Sequence, residues 1–204
     1  MAPFKHGPDA QVWHPARVTQ IVDMSTSLGQ QTRRPHAARW VEAMEKTQAM
    51  RALEGKRIPY ETLIYPDDLR DAEEIAILLD LPAAEVFKTL VVLPPEAGKK
   101  PLLVMIPADM QLDLKKLAAA VGAKKLKMAT HREAETLTGL QVGGISAVAL
   151  LNKGFAVYID RSAAGRDRIC VSAGKRGLQL RLAAADLIRL TSARPADVAT
   201  REAA

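Results

Sequence analysis

Two short segments carry residue types that could act on an anion or a carbonyl group. Lys88 follows Phe87 and opens an apolar run, and a cation fixed at such a point can hold a phosphate or polarise a carbonyl. Gly143 and Gly144 come shortly before Ser146, and a glycine pair lets the backbone approach a ligand closely or adopt a positive φ. From position alone, a solvated lysine at a strand end and a plain turn remain alternative interpretations.

A third segment is a basic turn between two apolar runs, Ser172-Ala173-Gly174-Lys175-Arg176-Gly177. Lys175 and Arg176 could flank a bound anion, and a hairpin loop with solvated charges is the alternative. The residues alone therefore indicate a candidate anion site and do not identify the ligand.

Other common sites are excluded or disfavoured. The sequence has neither the G-x-x-x-x-G-K-[ST] loop nor G-x-G-x-x-G. Cys170 lies between two β-branched residues, which favours a buried core thiol over a nucleophile. His131 opens a predicted helix far from any other histidine, which favours a surface position over a metal ligand. Ser146 is not in a G-x-S-x-G elbow. We expect no metal and no cofactor.

The composition limits the class of protein. The chain has 204 residues, of which 48% are hydrophobic and 25% charged, and this excludes a fully disordered chain. Its single cysteine cannot form an internal disulfide, so we expect a cytoplasmic protein. We find neither an apolar run of 18 residues nor a signal-peptide pattern. The net charge of +6 permits an acidic partner such as RNA but does not identify one.

The apolar periodicity of the chain begins near residue 40. We predict a flexible N-terminal extension over 1–39, a globular domain over 40–193 and a frayed C-terminal tail over 194–204. Predicted helices lie around residues 40–54, 72–81, 112–121, 131–138 and 185–190. Predicted strands lie around residues 58–65, 88–93, 102–106, 156–159, 169–171 and 178–180.

The order of these elements predicts the fold class. The strands cluster in neighbouring pairs and do not alternate strictly with helices. This favours an α/β protein of the α+β type over a doubly wound parallel sheet. We expect a single compact domain with a mixed, barrel-like sheet surrounded by helices.

The same segments, in this order, resemble the YbaK/EbsC family of aminoacyl-tRNA deacylases. With Ile58-Pro59-Tyr60 the matching stretches cover nearly all of residues 45–193. They are Val86-Phe87-Lys88-Thr89-Leu90-Val91-Val92, Leu112-Asp113-Leu114-Lys115-Lys116-Leu117, Thr138-Gly139-Leu140-Gln141-Val142-Gly143-Gly144-Ile145-Ser146 and Val171-Ser172-Ala173-Gly174-Lys175-Arg176-Gly177-Leu178.

The resemblance implies a trans-editing hydrolase of mischarged aminoacyl-tRNA, with Cys-tRNA(Pro) as substrate and prolyl-tRNA synthetase as a transient partner. It also implies that the substrate's own thiol attacks the ester, with backbone N–H groups near Gly144 stabilising the oxyanion. The residues that it assigns are Lys88 as the essential lysine, Tyr65, Gly143, Gly144, Ile145, Ser146 and Asp167 as pocket residues, and Lys175 and Arg176 as tRNA contacts.

One segment departs from the family pattern. After the serine the family continues as Pro-Leu-Gly, whereas this chain has Ala147-Val148-Ala149-Leu150-Leu151. Losing proline and glycine changes the backbone angles that the segment can adopt. Two alternatives therefore stay open: a deacylase with a preference for Ala or Ser, and a non-catalytic module that binds tRNA or a synthetase.

Overall fold

The computed structural model describes residues 17–21, 45–96 and 98–201. The described α-helices are α1 (Gln48–Gly55), α2 (Ala72–Leu78), α3 (Leu114–Val121), α4 (His131–Thr138) and α5 (Ala184–Thr191). The first strands are β1 (Arg17–Ile21), β2 (Tyr60–Ile64), β3 (Val86–Leu93), β4 (Leu102–Pro107), β5 (Gln111–Leu112) and β6 (Lys127–Met128). The later strands are β7 (Ala156–Asp160), β8 (Arg168–Ser172), β9 (Leu178–Ala183), β10 (Arg194–Ala196) and β11 (Ala199–Thr200). Short 3₁₀ helices span Ala83–Glu85, Leu151–Lys153 and Arg161–Gly165.

Nine strands form one mixed sheet in the order β1-β2-β9-β8-β3-β4-β7-β10, with β6 also paired to β3. The central strand β3 runs antiparallel to β4 and parallel to β8. The predicted mixed sheet flanked by helices is therefore confirmed. Its path is open among the described strands, because β1 and β10 form its two edges and do not pair with each other.

Side chains of β3 alternate between the two faces of this sheet. Phe87 and Val91 belong to the largest apolar cluster, on one face. Val92 belongs to a second cluster and Val86 to a third. By this alternation Lys88 lies on the face that carries Val86, in the gap between the two smaller clusters.

Local signals set the ends of two predicted helices, although α3 begins at Leu114, two residues after its predicted start, because Leu112 belongs to β5. Thr130 caps α4 through a capping box with Glu133, and Gly139 ends the helix in the left-handed conformation. Asp113 caps α3, which ends at Gly122 in the same way. The predicted helix near residue 40 begins at Gln48, and its predicted first residues lie outside the described part of the chain.

The predicted frayed tail over 194–204 is wrong for residues 194–200. Residues 194–196 pair in parallel with β7, and residues 199–200 pair with β5. The carboxylate of Asp160 accepts hydrogen bonds from the backbone N–H groups of Val198, at 3.2 Å, and Ala199, at 3.0 Å. Val198 is fully buried, so this short polar segment is held by distant partners and not by any periodicity of its own.

The predicted flexible extension over 1–39 is also wrong at five residues. Arg17–Ile21 form β1, which pairs in parallel with β2. The rest of that predicted extension lies outside the described residues. None of the helices described is both long and apolar enough to cross a membrane.

Candidate active site

An open cavity of about 170 Å³ lies beside the first half of β3. Its walls come from the segment before α2, from β3, from the turn at Gly143 and from the facing ends of β8 and β9. The lining residues are Arg70, Asp71, Ala72, Ile75, Val86, Phe87, Lys88, Thr89, Leu90, Val142, Gly143, Ile145, Ser172 and Gln179. The fold thus brings together three predicted site residues, Lys88, Gly143 and Ile145.

Lys88 is half-buried and held in place by backbone. Its Nζ donates a hydrogen bond to the carbonyl oxygen of Ala108 at 2.7 Å. Ala108 is fixed in turn, since its N–H donates to the carbonyl of Val86 at 2.7 Å. The cation is therefore anchored by the end of β4 and keeps two further N–H bonds for a ligand.

Gly143 and Gly144 serve two different structural needs. Gly143 has φ +89° in a turn closed by the N–H of Gly144 donating to the carbonyl of Gln141 at 2.8 Å. This is the position of a type II turn that favours glycine. A Cβ at Gly144 would lie 2.9 Å from the backbone nitrogen of Arg176 and 3.1 Å from the carbonyl carbon of Lys175. Gly144 is therefore required by close contact between two backbones.

The turn also determines which backbone N–H groups near Gly144 remain available as oxyanion donors. The Gly144 N–H is already used within the turn and is not free for a ligand. The N–H groups of Gly143 and Ile145 form no hydrogen bond with the described residues. Both residues line the cavity, so they are the better candidates for backbone donors.

Arg176 holds this turn in place. Its Nε donates to the carbonyl of Val142 at 2.7 Å, and its Nη2 lies 3.9 Å from Oε1 of Glu135. The same Glu135 carboxylate accepts the N–H of Val142 at 2.9 Å. The predicted tRNA contact at Arg176 is thus committed to the wall of the cavity, whereas Lys175 is exposed.

Tyr65 and Ser146 are buried behind the cavity and do not line it. Tyr65 packs with Leu63 and Ile75, its hydroxyl forms no hydrogen bond with the described residues, and burial raises its pKa. The Oγ of Ser146 accepts the N–H of Ala149 at 3.3 Å. In this structure both residues lie behind the cavity wall, and their predicted role in the pocket stays a prediction.

Asp167 is not part of the cavity, contrary to the prediction. It is exposed and precedes β8, whose opposite end, Ser172, lines the cavity. Five residues of strand separate the two by about 16 Å at 3.3 Å per residue. The resemblance assigns an acidic residue to the strand that contributes to the cavity, but Asp167 lies at the opposite end of that strand.

Arg70, Ser172 and Gln179 line the cavity and were missed from the sequence. Arg70 is exposed at the mouth, lies against Gly143 and forms no ion pair with a described residue. Gln179 is buried, and its Oε1 accepts a long hydrogen bond from the Sγ of Cys170 at 3.7 Å. Of these three residues only Ser172, in the basic turn, lies in a segment that the sequence singles out. Gln179 reaches the site because β9 pairs with β8, and Arg70 reaches it because the loop before α2 packs against Gly143.

The two residues set aside as chemically inert lie where the sequence predicts. Cys170 is fully buried, and burial raises the pKa of its thiol to about 12. His131 is exposed at the start of α4.

The segment Ala147–Leu151, which departs from the family pattern, lies away from the cavity. Ala147, Val148 and Leu150 are buried in the largest apolar cluster, and none of the five residues lines the cavity. Three of them instead line a second hollow of about 370 Å³ beside α1. The altered segment therefore contributes to the core, which explains its apolar character.

Known proteins match this chain over the region that forms the cavity. The model of the aminoacyl-tRNA editing domain matches residues 66–190, which include every residue lining the cavity. A protein of Enterococcus faecalis (strain ATCC 700802 / V583) named "Putative Cys-tRNA(Pro)/Cys-tRNA(Cys) deacylase EbsC" is 37% identical over 79% of this chain and 98% of its own length. A proline–tRNA ligase of Anaeromyxobacter sp. (strain K) is 32% identical over 50% of this chain, which corresponds to 17% of the ligase.

A solved structure agrees with these matches. A crystal structure described as "a putative trans-editing enzyme for prolyl tRNA synthetase" superposes with a TM-score of 0.64 at 26% identity. The superposition covers 78% of this chain and all of the other. With the family model matching more than half of the sequence, the chain belongs to the family of aminoacyl-tRNA editing domains, the YbaK type of aminoacyl-tRNA deacylase.

Proposed function

We propose that this aminoacyl-tRNA deacylase removes cysteine from tRNA(Pro) in trans, in the cytoplasm where tRNA is charged. The observation that carries the proposal is an anchored cation, Lys88, in a small cavity that lacks a nucleophile paired with a base. The lining hydroxyls belong to Thr89 and Ser172, and neither bonds to a basic side chain among the described residues. The attacking group therefore comes from the substrate or from water.

The thiol of the substrate's cysteine can supply that group. After losing its proton, the sulfur attacks its own ester carbonyl, and the carbon–oxygen bond to the terminal ribose breaks. The ribose oxygen takes up a proton, so the products are free tRNA and a cyclic thioester that water opens to cysteine. Because the attack is intramolecular, holding the aminoacyl group in one orientation supplies much of the acceleration.

Lys88 and the turn at Gly143 fit the two other requirements of this step. The ammonium of Lys88 can bind the carbonyl or the terminal ribose while Ala108 fixes its position. The free N–H groups of Gly143 and Ile145 can stabilise the oxyanion that forms during the attack.

The size of the cavity supports a small amino acid. A cavity of roughly 150 Å³ accepts benzene, so about 170 Å³ suits a small aminoacyl group with the adenosine at the mouth. Volume alone separates cysteine poorly from alanine or serine, because pockets discriminate weakly between groups of similar size. Under the proposed chemistry, cysteine is selected because alanine and serine lack the thiol that attacks the ester.

Three charged forms of tRNA(Pro) test the substrate. We expect loss of the ester from Cys-tRNA(Pro), and little loss when the same tRNA carries alanine or serine. Faster loss of alanine or serine would instead support a different preference. No loss of any ester, with retained binding of tRNA, would support a non-catalytic module.

A lysine variant and a blocked substrate test the mechanism. Lys88→Ala should lower deacylation by at least about 100-fold, the scale of losing one electrostatic group, without changing the thermal unfolding midpoint. Transfer RNA charged with S-methylcysteine should resist the wild-type enzyme, because its sulfur cannot attack. Hydrolysis of that ester at the cysteine rate would contradict thiol assistance and indicate attack by water.

A transient complex with prolyl-tRNA synthetase is the further part of this proposal. The cavity offers no means of selecting one tRNA over another, and the matched region also occurs within proline–tRNA ligases. Sedimentation of the two proteins with and without tRNA(Pro) tests the complex, which we expect only when tRNA is present.

A further inference from the structure

Six exposed lysines lie together at the end of the sheet farthest from the cavity. They come from the hairpin between β3 and β4, from β6 with the turn before it, and from the 3₁₀ helix before β7. We call this set the lysine edge: Lys99, Lys100, Lys124, Lys125, Lys127 and Lys153.

Strand pairing brings these three segments side by side. The last residue of β3, Leu93, pairs with Lys127, and the first residue of β4, Leu102, pairs with the first residue of β7, Ala156. The Nζ of Lys100 donates to the carbonyl oxygen of Lys153 at 2.8 Å. The edge thus spans the ends of four adjacent strands, about 14 Å at 4.8 Å per strand.

Most of this charge is uncompensated. Lys99 pairs with Glu96 at 3.4 Å, and Lys127 pairs with Glu133 at 3.6 Å. The other four lysines of the edge form no ion pair with a described residue. Four exposed like charges on adjacent strand ends repel one another and contribute nothing to the core, so the fold itself gives no reason for them.

We propose that the lysine edge binds backbone phosphates in the double-stranded part of the same tRNA whose ester occupies the cavity. The inference rests on the proposed function for the identity of the ligand. Lys88 and Leu93 are five residues apart on β3, so the edge lies about 16 Å from Lys88 along this strand. Duplex nucleic acid carries about one negative charge per 1.7 Å of axis, so several phosphates can face the edge at once.

A variant of two free lysines, one from each side of the edge, tests this proposal. K124Q/K153Q is compared with K56Q/K115Q, which removes the same charge from exposed lysines on other segments. The readouts are the Kd for uncharged tRNA(Pro) and for an unrelated duplex RNA over a range of KCl concentrations. Thermal unfolding of each variant confirms that it is folded.

We expect K124Q/K153Q to bind both RNAs on the order of tenfold more weakly near 0.1 M salt, with the salt slope reduced by about one per lysine. Its kcat/KM should fall for full-length charged tRNA but not for the same ester on a short single-stranded 3′ oligonucleotide. The control variant should keep wild-type values.

Equal affinities and salt slopes for the two variants would overturn the proposal. So would equal losses on the full tRNA and the short oligonucleotide, because the lysines would then be acting through the cavity. If no charged tRNA is hydrolysed but K124Q/K153Q still loses affinity for RNA, the proposed function fails and the lysine edge stands.

Discussion

At the scale of the residue, the most constrained position of the site is a glycine without a reactive group. A Cβ at Gly144 would lie within 3 Å of the backbone nitrogen of Arg176, so the turn of the cavity wall can pack this closely only with glycine at this position. Arg176 and Glu135 then hold Val142 from both sides. The backbone N–H groups of Gly143 and Ile145, which line the cavity, are therefore positioned by Gly144, which does not line it.

Gly144→Ala tests this constraint. A Cβ there meets backbone atoms, which cannot rotate away, so we expect a loss of stability of about 1–3 kcal/mol and a larger proportional loss of kcat/KM. Denaturant unfolding and deacylation rates measure the two effects. Gly165→Ala is the matched control, because nothing lies within 4 Å of its Cβ position. Equal activities of the two variants would contradict the role of close backbone contact.

The residues of the site differ in how well the sequence predicts them. Lys88 and the glycine turn were identified because they lie inside long matching stretches. Asp167 lies away from the cavity, because the parallel pairing of β8 with β3 brings the opposite end of β8 to the cavity, and this direction is not readable from the local sequence. Arg70 and Gln179 carry no local signal, since each reaches the cavity through partners far away in the chain.

At the scale of the element, local chemistry and distant pairing make separate contributions. The capping box at Thr130 and the glycine that follows α4 are readable within ten residues of sequence. The strands β10 and β11 cannot be read from the local sequence, because they are held in place by pairing with β7 and β5 and by hydrogen bonds to Asp160. These short strands lack an apolar run of their own, unlike the central strands, and so their sequences do not predict them.

Asp160→Asn tests how the last strands are held. Burial would raise the pKa of Asp160, but hydrogen bonds from Ser162, Val198 and Ala199 outweigh burial and lower it. A carboxyl with a lowered pKa stabilises the fold above its unfolded pKa of about 3.9 and loses this effect as pH falls through the folded value. We expect the variant to lose about 1–3 kcal/mol at pH 7.

Urea unfolding at a series of pH values measures this difference. The gap in free energy of unfolding between wild type and variant should narrow as the pH falls below about 4. A gap that stays constant down to pH 2 would show that the charge of Asp160 does not contribute.

At the scale of the whole molecule, β3 connects the two ends at which the chain is proposed to meet its substrate. The cavity lies at one end of this strand and the lysine edge at the other. Both edges of the sheet, β1 and β10, come from segments outside the range of the family model. The family match therefore covers the candidate active site but not the whole sheet.

Deleting residues 194–204 tests the contribution of the outer segment. The deletion uncovers β7, removes the buried Val198 and leaves the carboxylate of Asp160 without two partners. We expect a loss of at least about 3 kcal/mol in the free energy of unfolding. Deleting only residues 202–204 is the control. In the variant that lacks residues 194–204, adding Asp160→Asn should lower the free energy of unfolding little further. If the losses of stability from the deletion and from Asp160→Asn add in full, Asp160 does not act through these strands.

The burial of Cys170 has a practical consequence for measuring the reaction. It is the one thiol in the chain, and its raised pKa keeps it protonated and unreactive at neutral pH. After the reaction is quenched and the tRNA is removed by acid precipitation, an aromatic disulfide reagent can therefore report released cysteine with almost no background from the enzyme. The reagent has to be absent during turnover, because it would also modify the thiol of Cys-tRNA(Pro). A cysteine introduced elsewhere on the surface would likewise be a single attachment point for a fluorescent dye.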